Sequence, residues 1–343
     1  MYTTFIIGNG FDVSQHMETR YCQFYENHYT KLPTVGIAPA LIDFRKEITN
    51  YINAEKKNNA RYKEEIDWSD LESALGKYAS KLSVANDYIN IALDINKELQ
   101  IYIENQDKKF AISEKDSIKI YNDFCKPDVT PYLNFEESQA MWQYKKNAGS
   151  ESINIINFNY TNTIEKILDA YRTTPNVKNI VGNVTSINQV LHIHSRLGDD
   201  SAILVGVNDP SQIYNEKFRT NLDVLDILVK PETNKMFGNG RIAQAKKMIN
   251  QAQVIVLFGV SLGETDKMWW DLIGKKLQNK DVRLIWFVYE SPGIENRLLI
   301  GGKKRELIKQ FCDVANIPEE NRDKVVPLIF IGYNTNIFCA KSK

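Results

Sequence analysis

Tyr2-Thr3-Thr4-Phe5-Ile6-Ile7-Gly8-Asn9-Gly10-Phe11-Asp12 is the stretch on which the reading of the whole chain turns. An apolar, β-branched run broken by two glycines reads as a buried strand entering a tight turn. A helix starting after that turn would aim free N–H groups and its positive dipole end at whatever binds there, as α/β proteins do with phosphate. Val13 stands where a G-x-G-x-x-G pattern would place its third glycine. The element therefore fits either a nucleotide site or a plain strand–turn–helix.

Composition removes several alternatives. The 43 basic and 43 acidic side chains cancel, so no global field draws the chain to nucleic acid or to an anionic membrane. Lys303-Lys304-Arg305, the densest basic cluster, reads as a solvated helix face. No apolar run approaches the roughly 18 residues a spanning helix needs. No basic segment or small-residue cleavage site precedes the first strand, which argues against a signal peptide. Cys22, Cys125, Cys312 and Cys339 are dispersed and form no C-x-x-C pair. Reduced, mostly buried thiols and a cytoplasmic location are expected.

Outward from the first strand, helical periodicity dominates from Leu41 to Ile103, with Leu71, Leu75, Tyr78 and Leu82 on one face. Residues 36–150 read as a helical module inserted into a sheet domain made of residues 1–35 and 151–343. Strands are expected at 152–156, near 179–181, at 190–193 and 203–205, and at 254–258, 283–288 and 325–331. Helices are expected at 162–171, 212–228, 242–251, 267–277 and 306–315. Strands alternating with helices predict a doubly wound, mainly parallel Rossmann-like sheet.

Three further segments carry candidate chemistry. Asn157-Phe158-Asn159-Tyr160-Thr161-Asn162-Thr163 follows the strand ending at Ile156, where open α/β sheets place ligands. Asn159 is expected to contact ligand, and Thr161 and Asn162 to cap the next helix. His192-Ile193-His194-Ser195 places two of the chain's four histidines at strand spacing, hence on one face. A third metal ligand is missing nearby, so no metal is expected. His192 reads as a satisfied core residue and His194 as a candidate general base. Gly259-Val260-Ser261-Leu262-Gly263-Glu264-Thr265-Asp266 is a second glycine-bearing turn after an apolar strand. On the helical module, Trp68 reads as core, and Asp70 and Glu72 as surface or paired.

Together these pieces resemble the AbiH family of bacteriophage abortive-infection proteins. The matching segments are Gly8 to Asp12, Thr19-Arg20-Tyr21 with Phe24, Trp68 to Glu72, Asn157 to Thr163, His192-Ile193-His194, Gly206-Val207-Asn208-Asp209 and Phe258 to Asp266. More distantly the pattern is similar to the sirtuin-like NAD-binding fold of phage-defence NADases. That resemblance implies Gly8 and Gly10 at a pyrophosphate, Asn159 and His194 as the catalytic pair at the nicotinamide ribose, and Gly259 with Ser261 at the adenosine. The wider contact set would include Asn9, Phe11, Asp12, Asn157, Tyr160 and Leu262. The chain departs from the pattern in three ways. Zinc-binding cysteine pairs are absent, which speaks against lysine deacylation. Ser195 replaces the family's glycine after the histidine, and Val260 replaces a more polar residue.

The resemblance implies an anti-phage effector with NAD as substrate, no required cofactor, and activity restrained until infection by self-assembly or by a phage-derived activator. A nucleotide sensor without turnover, and a toxin acting through the helical module, are the other readings.

Overall fold

The computed structural model describes residues 1–56, 66–127, 133–145, 151–173, 186–199, 203–236, 240–279, 281–290 and 299–340. Six strands form one parallel sheet: β1 Tyr2–Ile7, β2 Ser152–Asn157, β3 Ser186–His192, β4 Val254–Phe258, β5 Arg283–Val288 and β6 Ile329–Tyr333. Their order is β3-β2-β1-β4-β5-β6, the order of a doubly wound Rossmann-like sheet. The described helices are α1 Gly10–Ser14, α2 Tyr21–Asn27, α3 Pro39–Lys56, α4 Leu71–Tyr78, α5 Ala85–Lys109, α6 Glu114–Cys125 and α7 Phe135–Lys145, followed by α8 Thr163–Thr173, α9 Leu222–Leu228, α10 Lys230–Met236, α11 Arg241–Gln251, α12 Lys267–Asn279, α13 Ile300–Val314 and α14 Glu319–Val325.

The chain divides into two compact units. One comprises residues 1–16, 111–193 and 243–343 and holds the whole sheet; the other comprises 17–110 and 194–242. The helical stretch expected as one module over 36–150 is therefore shared. Its portion up to Phe110 groups with 194–242, while α6 and α7 group with the sheet.

The strands form where the apolar runs lie. All but the first residue of β1 and all but the last of β4 are buried, as expected of parallel strands covered on both faces. The polar Thr4 is tolerated inside because its hydroxyl donates to the Met248 carbonyl at 3.1 Å. At the carboxyl edge one row crosses the sheet in register: His192, Asn157, Ile7, Phe258, Phe287 and Gly332.

Three expected elements differ. Residues 203–205 belong to no sheet ladder, and Val207 makes only an isolated bridge to Val229. The helix expected over 212–228 is confined to α9, because Pro210 starts a separate short turn and Asn221 caps α9 by accepting from the Val224 N–H at 3.1 Å. The strand expected from Val325 starts at Ile329, because the apolar residues before it end α14 and form a 3₁₀ turn containing Pro327. The strand expected near 179–181 lies outside the described residues.

At the switch point between β1 and β4 two glycine turns touch. Gly8 N–H donates to the Phe258 carbonyl at 3.0 Å and Gly10 N–H to the Gly259 carbonyl at 2.8 Å. A Cβ on Gly8 would lie 2.6 Å from the Gly259 oxygen, and one on Gly10 would collide with the Gly259 Cα. Gly259 itself has φ +66°, with the Phe11 nitrogen 2.6 Å from where its Cβ would stand. Only glycine fits here, on both steric and dihedral grounds. We therefore expect Gly10→Ala to destabilise the protein by about 3 kcal/mol. Gly302→Ala on α13, where an added Cβ meets nothing closer than 3.9 Å, should instead gain about 0.5 kcal/mol. Urea unfolding midpoints measure both; equal destabilisation would show that the crossing is not tight.

Candidate functional site

Four chain segments meet at the carboxyl edge of β1, β2, β3 and β4 within the sheet unit. The β1–α1 turn contributes Asn9, which is exposed, and the partly open Gly10; Phe11 points inward. Phe11 is fully buried in a cluster with Phe124, Phe258 and Phe338, at centroid distances of 5.9, 6.2 and 5.7 Å. Its side chain therefore belongs to the core. Helix α1 has five residues, too short for a developed dipole, so anion binding there would rest on loop N–H groups.

Asp12 is also buried and accepts from the Thr161 hydroxyl at 2.7 Å, which in turn accepts from the Thr163 hydroxyl at 3.0 Å. Thr161 thus ties the β2–α8 loop to α1, in place of the helix cap expected of it. Asn162 stands immediately before α8, and its carbonyl accepts from the Lys166 N–H at 2.9 Å.

The amides occupy the centre. Asn157, the last residue of β2, is 1% exposed. Its Oδ1 accepts from the Asn159 N–H at 3.0 Å, while its buried Nδ2 has no hydrogen-bond partner among the described residues. Asn159 donates from Nδ2 to the Gly8 carbonyl at 3.2 Å, and its own carbonyl lies 2.9 Å from His192 Nδ1. Among the described residues no hydrogen bond reaches Asn159 Oδ1. Tyr160 is partly exposed. Across the switch point, Gly259, Val260 and Leu262 are partly exposed and Ser261 is exposed. The loop is anchored further on, where Trp270 Nε1 donates to the Gly263 carbonyl at 3.1 Å.

The histidines separate. β3 ends at His192, so the strand alternation expected to bring His192 and His194 onto one face does not extend to the second of them. His192 is a satisfied buried residue: Nε2 lies 2.8 Å from Glu165 Oε1, opposite the Nδ1 contact to Asn159. In the sequence Glu165 reads only as part of the capping segment of the next helix. Its place three residues after Asn162 reads as a helix-capping acid, and nothing local points to a histidine 27 residues away.

His194 opens the 194–242 segment of the other unit, in a bend. Ser195 follows with φ +64° and is fully buried. Arg241 Nη1 donates to its hydroxyl at 2.9 Å, and Arg241 Nη2 donates to Asp199 at 2.7 Å. Burial alone would raise the Asp199 carboxyl, but hydrogen bonds from Arg196 and Arg241 outweigh it and hold the group below its ordinary value. The glycine that the resemblance expects at this position has its cause in the left-handed backbone. In the same unit Trp68 is core, and Glu72 is paired with Lys230 at 2.6 Å, both side chains buried.

Fold and site define a class: a doubly wound α/β protein of Rossmann strand order, with glycine turns and asparagines gathered at its topological switch point. The chain belongs to the bacteriophage abortive infection AbiH family, whose sequence model matches residues 4–289, from β1 through β5. No curated protein matches it. No described helix is long and apolar enough to cross a membrane.

Thr161→Val tests the tie beneath the site. It removes the donor to Asp12 and the acceptor for Thr163, so two buried hydrogen bonds are lost. We expect a loss of roughly 2 kcal/mol in urea unfolding. A variant as stable as the parent would show that Thr161 does not anchor this loop.

Proposed function

We propose that this chain is an anti-phage abortive-infection effector that binds NAD at the carboxyl edge of β1, β2 and β4 and cleaves its nicotinamide–ribose bond, in a sirtuin-like manner. One observation carries the reading: at the switch point, where open α/β sheets bind their ligands, Asn157 holds a buried Nδ2 donor with no hydrogen-bond partner among the described residues. A donor left so costs roughly 1–3 kcal/mol unless a ligand or water supplies an acceptor. Asn159 beside it keeps Oδ1 available for a ribose hydroxyl or a water.

In the proposed reaction the bond from the ribose carbon to the nicotinamide nitrogen breaks, and its electron pair leaves with neutral nicotinamide. Water adds to the oxocarbenium-like ribose and gives up a proton, yielding ADP-ribose. Asn159 orients the ribose or the water, and the sequence resemblance is what gives His194 the role of taking the proton. Neutral amides suit this step, because they hold hydroxyls without bringing a second cation to a carbon that is becoming positive. Gly8, Asn9, Gly10, Ser261 and Leu262 would line the nucleotide. The balanced charge of the chain and the family membership are compatible with a small-molecule substrate, with restraint by self-assembly or by a phage-derived activator.

The test is chromatographic. Purified protein is incubated with NAD beside His194→Ala and Asn159→Ala, and nicotinamide and ADP-ribose are followed. Each substitution should lower release by roughly 100-fold or more while leaving the far-ultraviolet circular dichroism unchanged. Full activity in folded His194→Ala removes that residue from the reaction. Saturable NAD binding without release in the parent protein would favour a nucleotide sensor over an enzyme.

A further inference from the structure

Glu165 and His192 have no role in the reaction above, yet they reach its central residue. His192 closes β3 in register with Asn157. Its Nε2 lies 2.8 Å from Glu165 Oε1 on α8, and its Nδ1 lies 2.9 Å from the Asn159 carbonyl oxygen. The Asn159 carbonyl accepts, so Nδ1 carries the proton in that contact, while Nε2 faces the carboxyl group of Glu165. The His192 side chain is 4% exposed and that of Glu165 23% exposed, so the pair sits mostly away from water.

Burying a carboxyl group against the ring carries a desolvation cost, which makes the contact a poor source of stability. What the arrangement supplies is position. Asn159 is held at three points: its N–H by Asn157 Oδ1, its carbonyl by His192, and its Nδ2 by the Gly8 carbonyl. These restraints come from the ends of β2, β3 and β1, and they leave Oδ1 as the remaining polar atom of the side chain.

We propose that Glu165 and His192 are positioning residues that fix the orientation of Asn159 through its main-chain carbonyl. The proposal rests on the reading of Asn159 as the residue that contacts the ribose. Two consequences follow from it. Loss of either partner should slow turnover without weakening substrate binding, because Asn159 remains present but poorly aimed. The effect of that loss should also vanish once the Asn159 side chain is gone.

The experiment uses the full chain, with asparagine labelled by ¹⁵N, and the parent, His192→Gln, Glu165→Gln, Asn159→Ala and the His192→Gln/Asn159→Ala double variant. The Asn159 carboxamide signal is assigned by its absence from the Asn159→Ala spectrum. In His192→Gln and Glu165→Gln that signal should shift, and its protons should exchange roughly 10-fold faster as the bond to Gly8 loosens. On NAD, kcat should fall about 30-fold with KM nearly unchanged. The double variant should be no slower than Asn159→Ala alone. An unmoved carboxamide signal in either folded single variant overturns the proposal, as does an additive loss in the double variant. If the signal moves but the parent protein neither binds nor cleaves NAD, the positioning link stands and the NAD reading falls. Should His192→Gln fail to fold, the Glu165→Gln comparison decides, since that carboxylate is partly exposed and its change is isosteric.

Discussion

The contact on which the site depends is the backbone crossing between the turns after β1 and β4. Gly8, Gly10 and Gly259 have no room for side chains because the two chains meet at hydrogen-bonding distance immediately beyond the sheet. This crossing extends the β1–β4 pairing by one residue and then turns the β1 chain inward, so that Phe11 enters the aromatic cluster. It also leaves the Gly8 carbonyl facing β2, where the Asn159 carboxamide finds it at 3.2 Å. Widening the crossing would displace the acceptor that orients Asn159.

This changes what the glycines signify. A glycine pattern after a first strand suggests phosphate, because glycine lets a backbone come close to one. Here the backbone that comes close is the protein's own. Helix α1 is one short segment of five residues, and the third glycine of the dinucleotide pattern is Val13. In the function proposed here, ligand recognition therefore falls on the asparagines at the end of β2 rather than on the helix end. Two amides with a buried donor and an available acceptor suit a ribose, which offers both kinds of group.

Much of the sheet could be read directly. β4 is a continuous apolar run, β5 is one after Arg283, and the isoleucines of β2 are interrupted only by Asn154. Errors arose where an apolar, β-branched run had a different cause. Val325 and Val326 close a helix and enter a Pro327 turn, and Ile203 to Val205 are buried outside any sheet ladder. The candidate site was half legible. Asn157 and Asn159 could be placed because they follow a strand, but the contact of His192 with Glu165 depends on tertiary structure. Phe11 and Asp12 belong to the glycine motif in sequence and to the interior in space. Motif membership alone does not distinguish a residue that touches ligand from one that holds the loop.

Asn157 and Ser195 depart from full satisfaction or relaxed backbone in ways that bear on what their segments are for. Asn157 carries a buried donor with no hydrogen-bond partner among the described residues, and Ser195 holds a left-handed backbone that a serine adopts at a cost of about 1 kcal/mol. An unstrained sheet edge would have been available with an apolar residue at 157 and glycine at 195. Strain and unmet hydrogen-bonding capacity tend to collect where a protein handles ligand, while the surrounding fold supplies the stability that tolerates them. Each departure adjoins a residue given chemistry here: Asn157 bonds Asn159, and Ser195 follows His194 in the chain. The Arg241 contact to the Ser195 hydroxyl is then best understood as the local compensation that keeps the bend after His194 in one conformation. A substitution relieving the strain at 195 need not improve the protein, because the same change would remove the hydroxyl through which Arg241 holds the bend.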